Sequence, residues 1–275
     1  MTPRSRRLGG HALTALTWLL GFLFFLPIAW VLLSSFKPER LAVTNPPTVM
    51  FTPTLDNFRA VVHGVQFSLA FQNSVIVTVC STIVSVTLAF PIAYALTIRP
   101  VRKSKDILFF LISTRMLPVA GVIVPIFMLA KSLDALDSLW VLIWLYGVMN
   151  VPLAVWMLRA YLNDVPREVI EAAAVDGATN IQVASRIVIP MVVPSLAAIA
   201  TLCAVFAWSE FFIGVSLTSY DAATLPVYLT SFMSDRGLYW GELSAVVVIT
   251  ILPVLIPGLF IQKPLMKGFS KSDAK

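Results

Sequence analysis

Six long apolar runs constrain this chain more than any other feature of its sequence. A helix rises about 1.5 Å per residue, so it needs about 20 mostly apolar residues to cross a hydrocarbon layer about 30 Å thick. The runs are continuous rather than alternating, and backbone groups in lipid must be satisfied within the segment, which favours helices. Hydrophobic residues make up 58% of the chain and charged residues 12%, against about 45–50% and about 25% in soluble domains. The sequence predicts an all-α integral membrane protein with six transmembrane helices: Leu13–Phe36, Leu69–Leu96, Ile107–Ala130, Leu139–Tyr161, Met191–Leu217 and Leu243–Ile261.

Lys and Arg residues are divided unequally between the two sets of span ends. One set carries 14 of the 20 basic residues and the other carries 5, while Arg115 lies within the third run. Because cytoplasmic loops carry the excess of positive charge, we predict a multi-pass protein with both termini in the cytoplasm. The first run is too long for the apolar core of a signal peptide, which has about 7–15 residues, so we expect it to be retained as a span.

The remaining composition argues against several functional classes. The net charge of +6 is spread in short clusters between apolar runs, which does not suggest a nucleic-acid partner. Cys80 and Cys203 lie inside apolar runs without metal-ligand spacing, so they are expected to be packing residues. The chain has no G-x-x-x-x-G-K-[ST] loop, and it should therefore not bind ATP itself. With no clustered His or paired carboxylates at the span ends, we predict no enzyme activity, no catalytic residue, no metal site and no cofactor bound by this chain.

A polar segment interrupts the apolar chain in the second predicted cytoplasmic loop. Arg167–Val175 can form a short helix, and Gly177 is placed where glycine commonly follows a helix end. Thr179 and Gln182 have the spacing of a capping box, in which each side chain satisfies a backbone N–H of the other residue. We predict a second short helix that reaches about Ile189, and we expect Pro190 to begin the next span.

The first of these short helices has very little bulk on part of its surface. Ala172, Ala173 and Ala174 would let the backbone of another protein approach closely, and Glu171 could pair with a basic residue across such a contact. The alternative is a solvated connector between two spans. That alternative does not explain why small, apolar and charged residues alternate in a loop that already faces water.

The same segment resembles the signature loop of bacterial binding-protein-dependent ABC import permeases. The matching positions are Glu171-Ala172-Ala173, Gly177, Ile187 and Ile189-Pro190, with Ile189 in place of the usual Leu. Asp176-Gly177-Ala178 also matches the form common in sugar permeases, and the basic tail that starts at Gln262 looks like that of the MalG-like carbohydrate subgroup. The resemblance implies a type I ABC importer permease fold, in which this loop is the coupling helix that docks on a cytoplasmic ATPase. The residues it assigns to that coupling are Glu171, Ala172, Ala173, Asp176, Gly177, Ile187 and Pro190.

The resemblance also implies a set of partners and a location. It implies a cytoplasmic ATPase dimer that holds ATP and Mg, a second permease subunit in a heterodimer, and an extracytoplasmic solute-binding protein. It places the chain among the lipids of the bacterial cytoplasmic (inner) membrane, with no nucleic acid. It divides the chain into an N-terminal span and external loop at 1–68, a permease domain at 69–262 and a cytoplasmic tail at 263–275.

Three polar residues lie within the predicted spans: Arg115 in the third, Asn150 in the fourth and Glu210 in the fifth. A charge at membrane depth costs about 2.5–3.5 kcal/mol on insertion scales, so such a side chain should face a cavity or a partner. We predict that these residues line a solute pathway. The alternatives are a structural Arg115–Glu210 pair, contacts with the partner permease, or snorkelling of the side chains to a membrane interface.

The solute is suggested only by short runs. Ser113-Thr-Arg-Met-Leu-Pro118 looks like a run found in mannitol and sorbitol permeases, whereas Trp208-Ser209-Glu210 departs from the Trp-Asn-Glu or Trp-Asn-Asp of sugar permeases. We predict a permease subunit that translocates a polyol or sugar by alternating access. The alternative is a secondary transporter driven by an ion gradient, with Arg115 and Glu210 as a proton-coupled pair.

Overall fold

Helices make up most of the chain, as the continuous apolar runs predict. The computed structural model describes residues 3–99, 102–234 and 237–270. A π-helical segment covers Val183–Val188, and a 3₁₀ turn covers Leu229–Phe232. Two short strands pair in an antiparallel hairpin, with Met233 opposite Leu238 and Ser234 opposite Gly237. The elements are α1 Pro3–Ser35, α2 Glu39–Ala42, α3 Asp56–Val62, α4 Val65–Thr97, α5 Ser104–Met116, α6 Val119–Ser132, α7 Leu139–Leu162, α8 Arg167–Val175, α9 Asn180–Gln182, α10 Ile189–Trp208, α11 Phe212–Leu217, α12 Leu225–Tyr228, β1 Met233–Ser234, β2 Gly237–Leu238 and α13 Trp240–Ser270.

Four helical runs in the described part of the chain are long and apolar enough to cross a membrane. They are Leu13–Ser35, Val65–Thr97, Leu139–Leu162 and Asn180–Trp208, and the pair α5–α6 is a fifth candidate if it counts as one span. The predicted sixth span lies in α13, where the described apolar stretch is the shorter Trp240–Ile256. The multi-span helical architecture is confirmed, and the count of six stays a prediction.

Two predicted spans have different boundaries in the structure. The prediction of one continuous span at Ile107–Ala130 is wrong, because α5 and α6 meet at an angle of 89°. Leu117, at the bend, is extended with ψ 126°, since a residue before proline is disfavoured in the helical region. The prediction for Met191–Leu217 is also wrong at both ends. The helix begins earlier, stops at Trp208, and α11 follows after a break at 209–211.

The chain divides into two compact units, Met1–Ser68 with Leu229–Leu252 and Leu69–Tyr228 with Pro253–Lys275. Within the first unit, the Asn57 amide donates to the carbonyls of Ser35 at 2.9 Å and Lys37 at 2.7 Å. The Lys37 side chain is buried, with its ammonium nitrogen 4.0 Å from the centroid of the Trp30 ring. Burial lowers the pKa of Lys37. This arrangement fixes the end of α1 against the start of the following loop.

Within the second unit, α7 is the central helix and packs against α5 and α10. Helix α4 approaches α7 closely at Gly147, where an added Cβ would lie 2.6 Å from Val84 Cγ1. The Ser85 hydroxyl donates to the Gly147 carbonyl at 2.9 Å. Small residues that permit close backbone approach and hydrogen bonds across helices are typical of membrane helix packing.

Candidate functional site

The predicted helix–turn–helix is present in the loop that was predicted to be cytoplasmic. Helix α8 covers Arg167–Val175, and Gly177 follows it with φ +79°, in the left-handed region that favours glycine. The capping box is confirmed, since the Gln182 N–H donates to Thr179 Oγ1 at 3.3 Å and the Thr179 N–H donates to Gln182 Oε1 at 2.8 Å. The turn between the two limbs is therefore set by local sequence.

The second limb of the loop is not a separate short helix. Helical structure is continuous from Asn180 to Trp208, so the predicted boundary at Ile189–Pro190 is wrong. The wide π-helical turn explains how the run passes Pro190, which lacks the N–H of an ordinary helical residue. Next to the proline, the Ile189 N–H donates to the carbonyl of Ala184, five residues back.

The residues assigned to coupling lie on two faces of this loop. Ala173 is only 8% exposed and packs within the hydrophobic core of its own chain, where Ile187 also makes contact. Glu171, Ala172, Asp176 and Gly177 are exposed. A bulky residue at Ala173 would therefore disturb the chain's own packing before it reached a partner.

Two exposed apolar residues at the tip of the loop were not predicted from the sequence. Val175 is 87% exposed and Ile181 is 80% exposed, one on each side of the Gly177 turn. Their identity alone gave no signal, because the loop holds other apolar residues such as Val169 and Ile170. They are the two large apolar side chains that the tip exposes most.

The structure brings Arg115, Asn150 and Glu210 together around one small pocket of about 60 Å³. Arg115 lies in the last turn of α5, where a cation is favoured beside the helix carbonyl ends. Asn150 lies within α7 and Glu210 lies in the break between α10 and α11. The full lining is Arg115, Tyr146, Met149, Asn150, Phe206, Ala207 and Glu210.

Hydrogen bonds hold two of these side chains in place. Arg115 donates from Nη1 to the Met149 carbonyl at 3.2 Å and from Nη2 to Asn150 Oδ1 at 3.5 Å, and its guanidinium lies 5.3 Å from the Phe206 ring centroid. The Asn150 amide donates to the Cys203 carbonyl at 3.4 Å. The pocket thus combines a fixed cation, an amide and an aromatic face.

Glu210 shares the pocket without pairing to Arg115. Its Oε1 accepts the backbone N–H of Ile213 at 2.9 Å, which caps the first turn of α11. Among the residues that the structure describes, the salt bridge present is Arg59–Asp56. The structure therefore does not show the Arg115–Glu210 ion pair that was one alternative.

The profile of the family described as "Binding-protein-dependent transport system inner membrane component" matches residues 85–271, which include both the loop and the polar pocket. The chain belongs to this family. It is an inner-membrane permease subunit of an ABC transporter and not an enzyme, and this membership disfavours the ion-gradient-driven alternative.

Relatives of this permease match it over nearly its full length. It is 28% identical over 264 residues to the diacetylchitobiose uptake system permease protein DasC of Streptomyces coelicolor, covering 95% of both chains. It is 27% identical over 261 residues to the trehalose/maltose transport system permease protein MalG of Thermococcus litoralis, covering 94% of both chains. Its fold matches a chain in the crystal structure of a bacterial transporter that imports the acidic polysaccharide alginate, with a TM-score of 0.80, 24% identity, and coverage of 96% of this chain and 98% of that one.

The permease also has a carboxylate contact that sequence reasoning missed. Asp137, in the loop between α6 and α7, accepts four backbone N–H groups, those of Ser219, Tyr220, Asp221 and Ala222, each at 3.0 Å. Burial acts to raise the pKa of Asp137, but the four backbone donors outweigh it and hold that pKa below its ordinary value. We call this contact the Asp137 clamp.

Two residues of α4 near the predicted start of the second span form hydrogen bonds with the segment 221–225. The Asn73 amide donates to the carbonyls of Asp221 at 2.8 Å and Ala223 at 3.0 Å. The Ser74 hydroxyl accepts the backbone N–H of Leu225 at 2.7 Å. The Asn73-Ser74 pair thus orders the segment 221–225 from one side, while the clamp holds 219–222 from the other.

Proposed function

We propose that this permease conducts a saccharide along a path that passes Arg115, Asn150 and Glu210. The observation that carries the proposal is the meeting of these three side chains at one pocket, from positions at least 35 residues apart in sequence. Two of the three lie at breaks in the helices, at the α5–α6 bend and between α10 and α11. Irregular backbone at membrane depth is tolerated where it is buried in protein or lines a water-filled cavity.

The chemistry of the pocket suits a solute rich in hydroxyl groups. The guanidinium donates, the carboxylate accepts, and the amide of Asn150 does both. The Phe206 ring offers an apolar face beside them. The saccharide names of DasC and MalG support this class of solute for a chain of the same family.

The pocket must widen before it can admit a sugar ring. Its volume of about 60 Å³ is far below the roughly 300–1,000 Å³ of pockets that bind small ligands. Arg115 also lines a larger, mainly apolar cavity of about 500 Å³ between α4, α5 and α7. We infer that the described conformation is closed at the polar pocket and that movement at the two helix breaks opens it.

We infer that the loop tip docks on the ATPase that drives this movement. In this assignment Glu171, Ala172, Asp176 and Gly177 contact the ATPase together with Val175 and Ile181, while Ala173, Ile187 and Pro190 position them from within the chain. The chain itself binds no cofactor, because ATP and Mg belong to the ATPase dimer. The second permease subunit completes a heterodimer, an extracytoplasmic binding protein delivers the solute, and both termini face the cytoplasm.

A polyol is the second candidate solute. It is favoured only by the run Ser113-Thr-Arg-Met-Leu-Pro118, which ends at the α5–α6 bend and includes the pocket residue Arg115. A polyol would use the same donors and acceptors, but it has no ring to rest on Phe206.

The test is to express the chain with its neighbouring transporter genes and purify the assembled complex in mild detergent. ATP hydrolysis is then measured with the binding protein and a panel of disaccharides, oligosaccharides, mannitol and sorbitol. We expect a co-purifying ATPase that one saccharide stimulates. A complex that responds to polyols alone would replace the solute assignment, and a chain that purifies without an ATPase would contradict the docking assignment.

The pathway is tested separately in vesicles with the stimulating solute. Arg115→Gln removes a charged donor worth about 1.5–3 kcal/mol, so we expect uptake to fall by about tenfold or more. The matched control is Arg102→Gln, an exposed arginine in the loop before α5. Equal uptake by the two variants would exclude Arg115 from the path.

A further inference from the structure

A cavity of about 310 Å³ lies where the predicted cytoplasmic ends of α4 and α7 meet α8. Its polar lining includes Thr97 and Arg99 from the end of α4, Asn163 after α7, and Arg167 and Glu171 on α8. Leu162 and Ile170 supply apolar walls. The cavity is thus polar and net positive, and it lies at the level where predicted spans leave the membrane.

Several donors at this cavity have unused capacity. Arg99 donates from Nη2 to Asn180 Oδ1 at 2.7 Å, which leaves other N–H groups of a five-donor guanidinium available. Arg167 forms no salt bridge within the described part of the chain, although Glu171 is four residues further along the same helix. The spacing would allow such a pair, so both side chains are left to face the cavity.

Two buried polar atoms nearby also lack partners. Thr97 Oγ1 is buried with no hydrogen bond among the described residues, and so is Nε of Arg159, which lies four residues before Asn163. Buried polar groups are normally satisfied by protein, water or a ligand. Of these two residues, Thr97 lines the cavity, so its hydroxyl is available to a water or a ligand there.

The charge and shape of the cavity specify the ligand. Guanidinium forks match the geometry of phosphate oxygens, and two arginines against one glutamate leave the lining one positive charge in excess. A phosphodiester such as the headgroup of phosphatidylglycerol carries one negative charge, which matches this excess. The volume of about 310 Å³ lies at the lower end of the roughly 300–1,000 Å³ of pockets that bind small ligands, which is room for a headgroup of that size.

We propose that this cavity binds the phosphodiester headgroup of an anionic phospholipid from the cytoplasmic leaflet, with phosphatidylglycerol as the best match. Arg99 and Arg167 hold the phosphate, and Glu171 remains available to the ATPase. Basic pockets between membrane helices on the cytoplasmic side are known to suit lipid headgroups. Because Arg167 belongs to α8, a bound lipid would also brace the helix that carries the loop tip.

The proposal is tested on the assembled transporter in detergent by native mass spectrometry during titration with phosphatidylglycerol. Each arginine near the surface contributes about fivefold to anionic lipid affinity, so Arg99→Gln with Arg167→Gln should weaken binding by roughly 25-fold. Titrations with phosphatidylethanolamine and phosphatidylcholine should show weaker binding and little dependence on the two arginines. Thr97→Val should weaken binding less than either arginine variant.

The matched control is the double variant Arg102→Gln with Lys105→Gln. Both residues are exposed in the same predicted cytoplasmic loop, and neither lines the cavity. The control removes the same charge, so equal weakening by both double variants would reduce the effect to general surface attraction and overturn the proposal. Unchanged binding in the cavity variant would overturn it as well.

Two further arms identify the source of the phosphate and separate this site from ATPase docking. The affinity for glycerol 3-phosphate is measured in the same way. If it equals the affinity for the lipid and depends on Arg99 and Arg167, the result would support a phosphate site and identify its ligand as a soluble phosphate ester. Retention of the ATPase is measured in every sample. Cavity variants that lose the ATPase but keep the lipid would assign the cavity to protein contact and refute the proposal, whereas a wild-type complex without ATPase would contradict the proposed function instead.

Discussion

Replacing Asp137 with asparagine tests how strongly one side chain holds two loops of the permease together. Asp137 has φ +52°, in the left-handed region that Asn and Asp tolerate best among residues with side chains. Asparagine therefore keeps the size and the backbone preference of the native residue. It exchanges one acceptor oxygen for an NH₂ donor and removes the negative charge.

The hydrogen bonds of the clamp set the size of the effect. Oδ1 accepts from Ser219 and Ala222, and Oδ2 accepts from Tyr220 and Asp221. Asparagine keeps one acceptor oxygen, so two of the four hydrogen bonds are lost. The other two are then made to a neutral amide oxygen instead of a charged carboxylate. Hydrogen bonds to charged groups contribute about 1.5–3 kcal/mol each to stability. Because water reaches this loop and screens the charge, each bond of the clamp contributes about 1.5 kcal/mol or less. We expect Asp137→Asn to cost about 2 kcal/mol of local stability.

Hydrogen exchange of the amides at 219–222 measures this loss directly. A cost of about 2 kcal/mol corresponds to roughly 30-fold faster exchange if these amides exchange through local opening. The control is Asp134→Asn, because Asp134 has φ +51° in the same loop and its carboxylate accepts no hydrogen bond from a described residue. Equal exchange at 219–222 in the two variants would refute the reasoning.

The pH dependence gives the clamp a second signature. The pKa of Asp137 is depressed in the folded protein, so its contribution is fully present above the ordinary carboxyl pKa of about 3.9 and is lost as the pH falls through the lowered value. Protection of the 219–222 amides, corrected for intrinsic exchange, should therefore be constant from neutral pH down to about pH 4. A loss of protection between pH 7 and pH 5 would contradict the assignment.

Three further replacements test packing, backbone geometry and the polar pocket. Gly147→Ala should lower the melting temperature in detergent, since overpacking of this kind costs about 1–3 kcal/mol, and adding Val84→Ala should restore much of it because Val84 is the nearest obstacle. Gly177→Ala meets no atom within 4 Å, yet it should cost about 1–2 kcal/mol at φ +79° and weaken ATPase co-elution, whereas Gly177→Asn should do so less. Asn150→Leu leaves the Arg115 guanidinium and the Cys203 carbonyl without their amide partner, and it should reduce solute uptake more than ATPase co-elution. An equal loss of both readouts for Asn150→Leu would mean that the variant damages the fold rather than the pathway.

Local patterns in the sequence predicted the parts of the structure that depend on local chemistry. The capping box at Thr179 and the left-handed glycine at 177 need only a few neighbouring residues, and both are present. Arg115, Asn150 and Glu210 were expected to face a cavity or a partner because placing charged and polar side chains at membrane depth costs free energy. In the structure they line one pocket. The helix breaks beside two of them were not predicted.

Proline alone could not have located the bend. Pro91, Pro125 and Pro152 all lie inside continuous helices, whereas Pro118 stands at an 89° turn. Neighbouring helices can satisfy the carbonyl that a proline leaves free, so the outcome depends on packing that periodicity does not report. Pro190 shows the same effect, since a widened turn carries the helix past it.

The clamp was missed for a different reason. Asp137 and the amides it holds are more than 80 residues apart, and no periodic pattern links them. A lone Asp before an apolar run suggests at most a cap for the helix that follows. Recognising a cross-loop contact of this kind requires the positions of both loops.

The uninterrupted helical run from Asn180 to Trp208 connects the loop tip with the polar pocket. The predicted helix boundary at Ile189–Pro190 had separated these two regions. The 29 residues of the run span about 43 Å at about 1.5 Å per residue. One end begins within three residues of Gly177, and the other stops two residues before Glu210. A rotation of about 5° about one end of a rod this long moves its far end by nearly 4 Å, which exceeds the width of a water molecule. In the proposed docking, a small tilt imposed at the loop tip would therefore displace the wall of the polar pocket, as α10 repacks against α7.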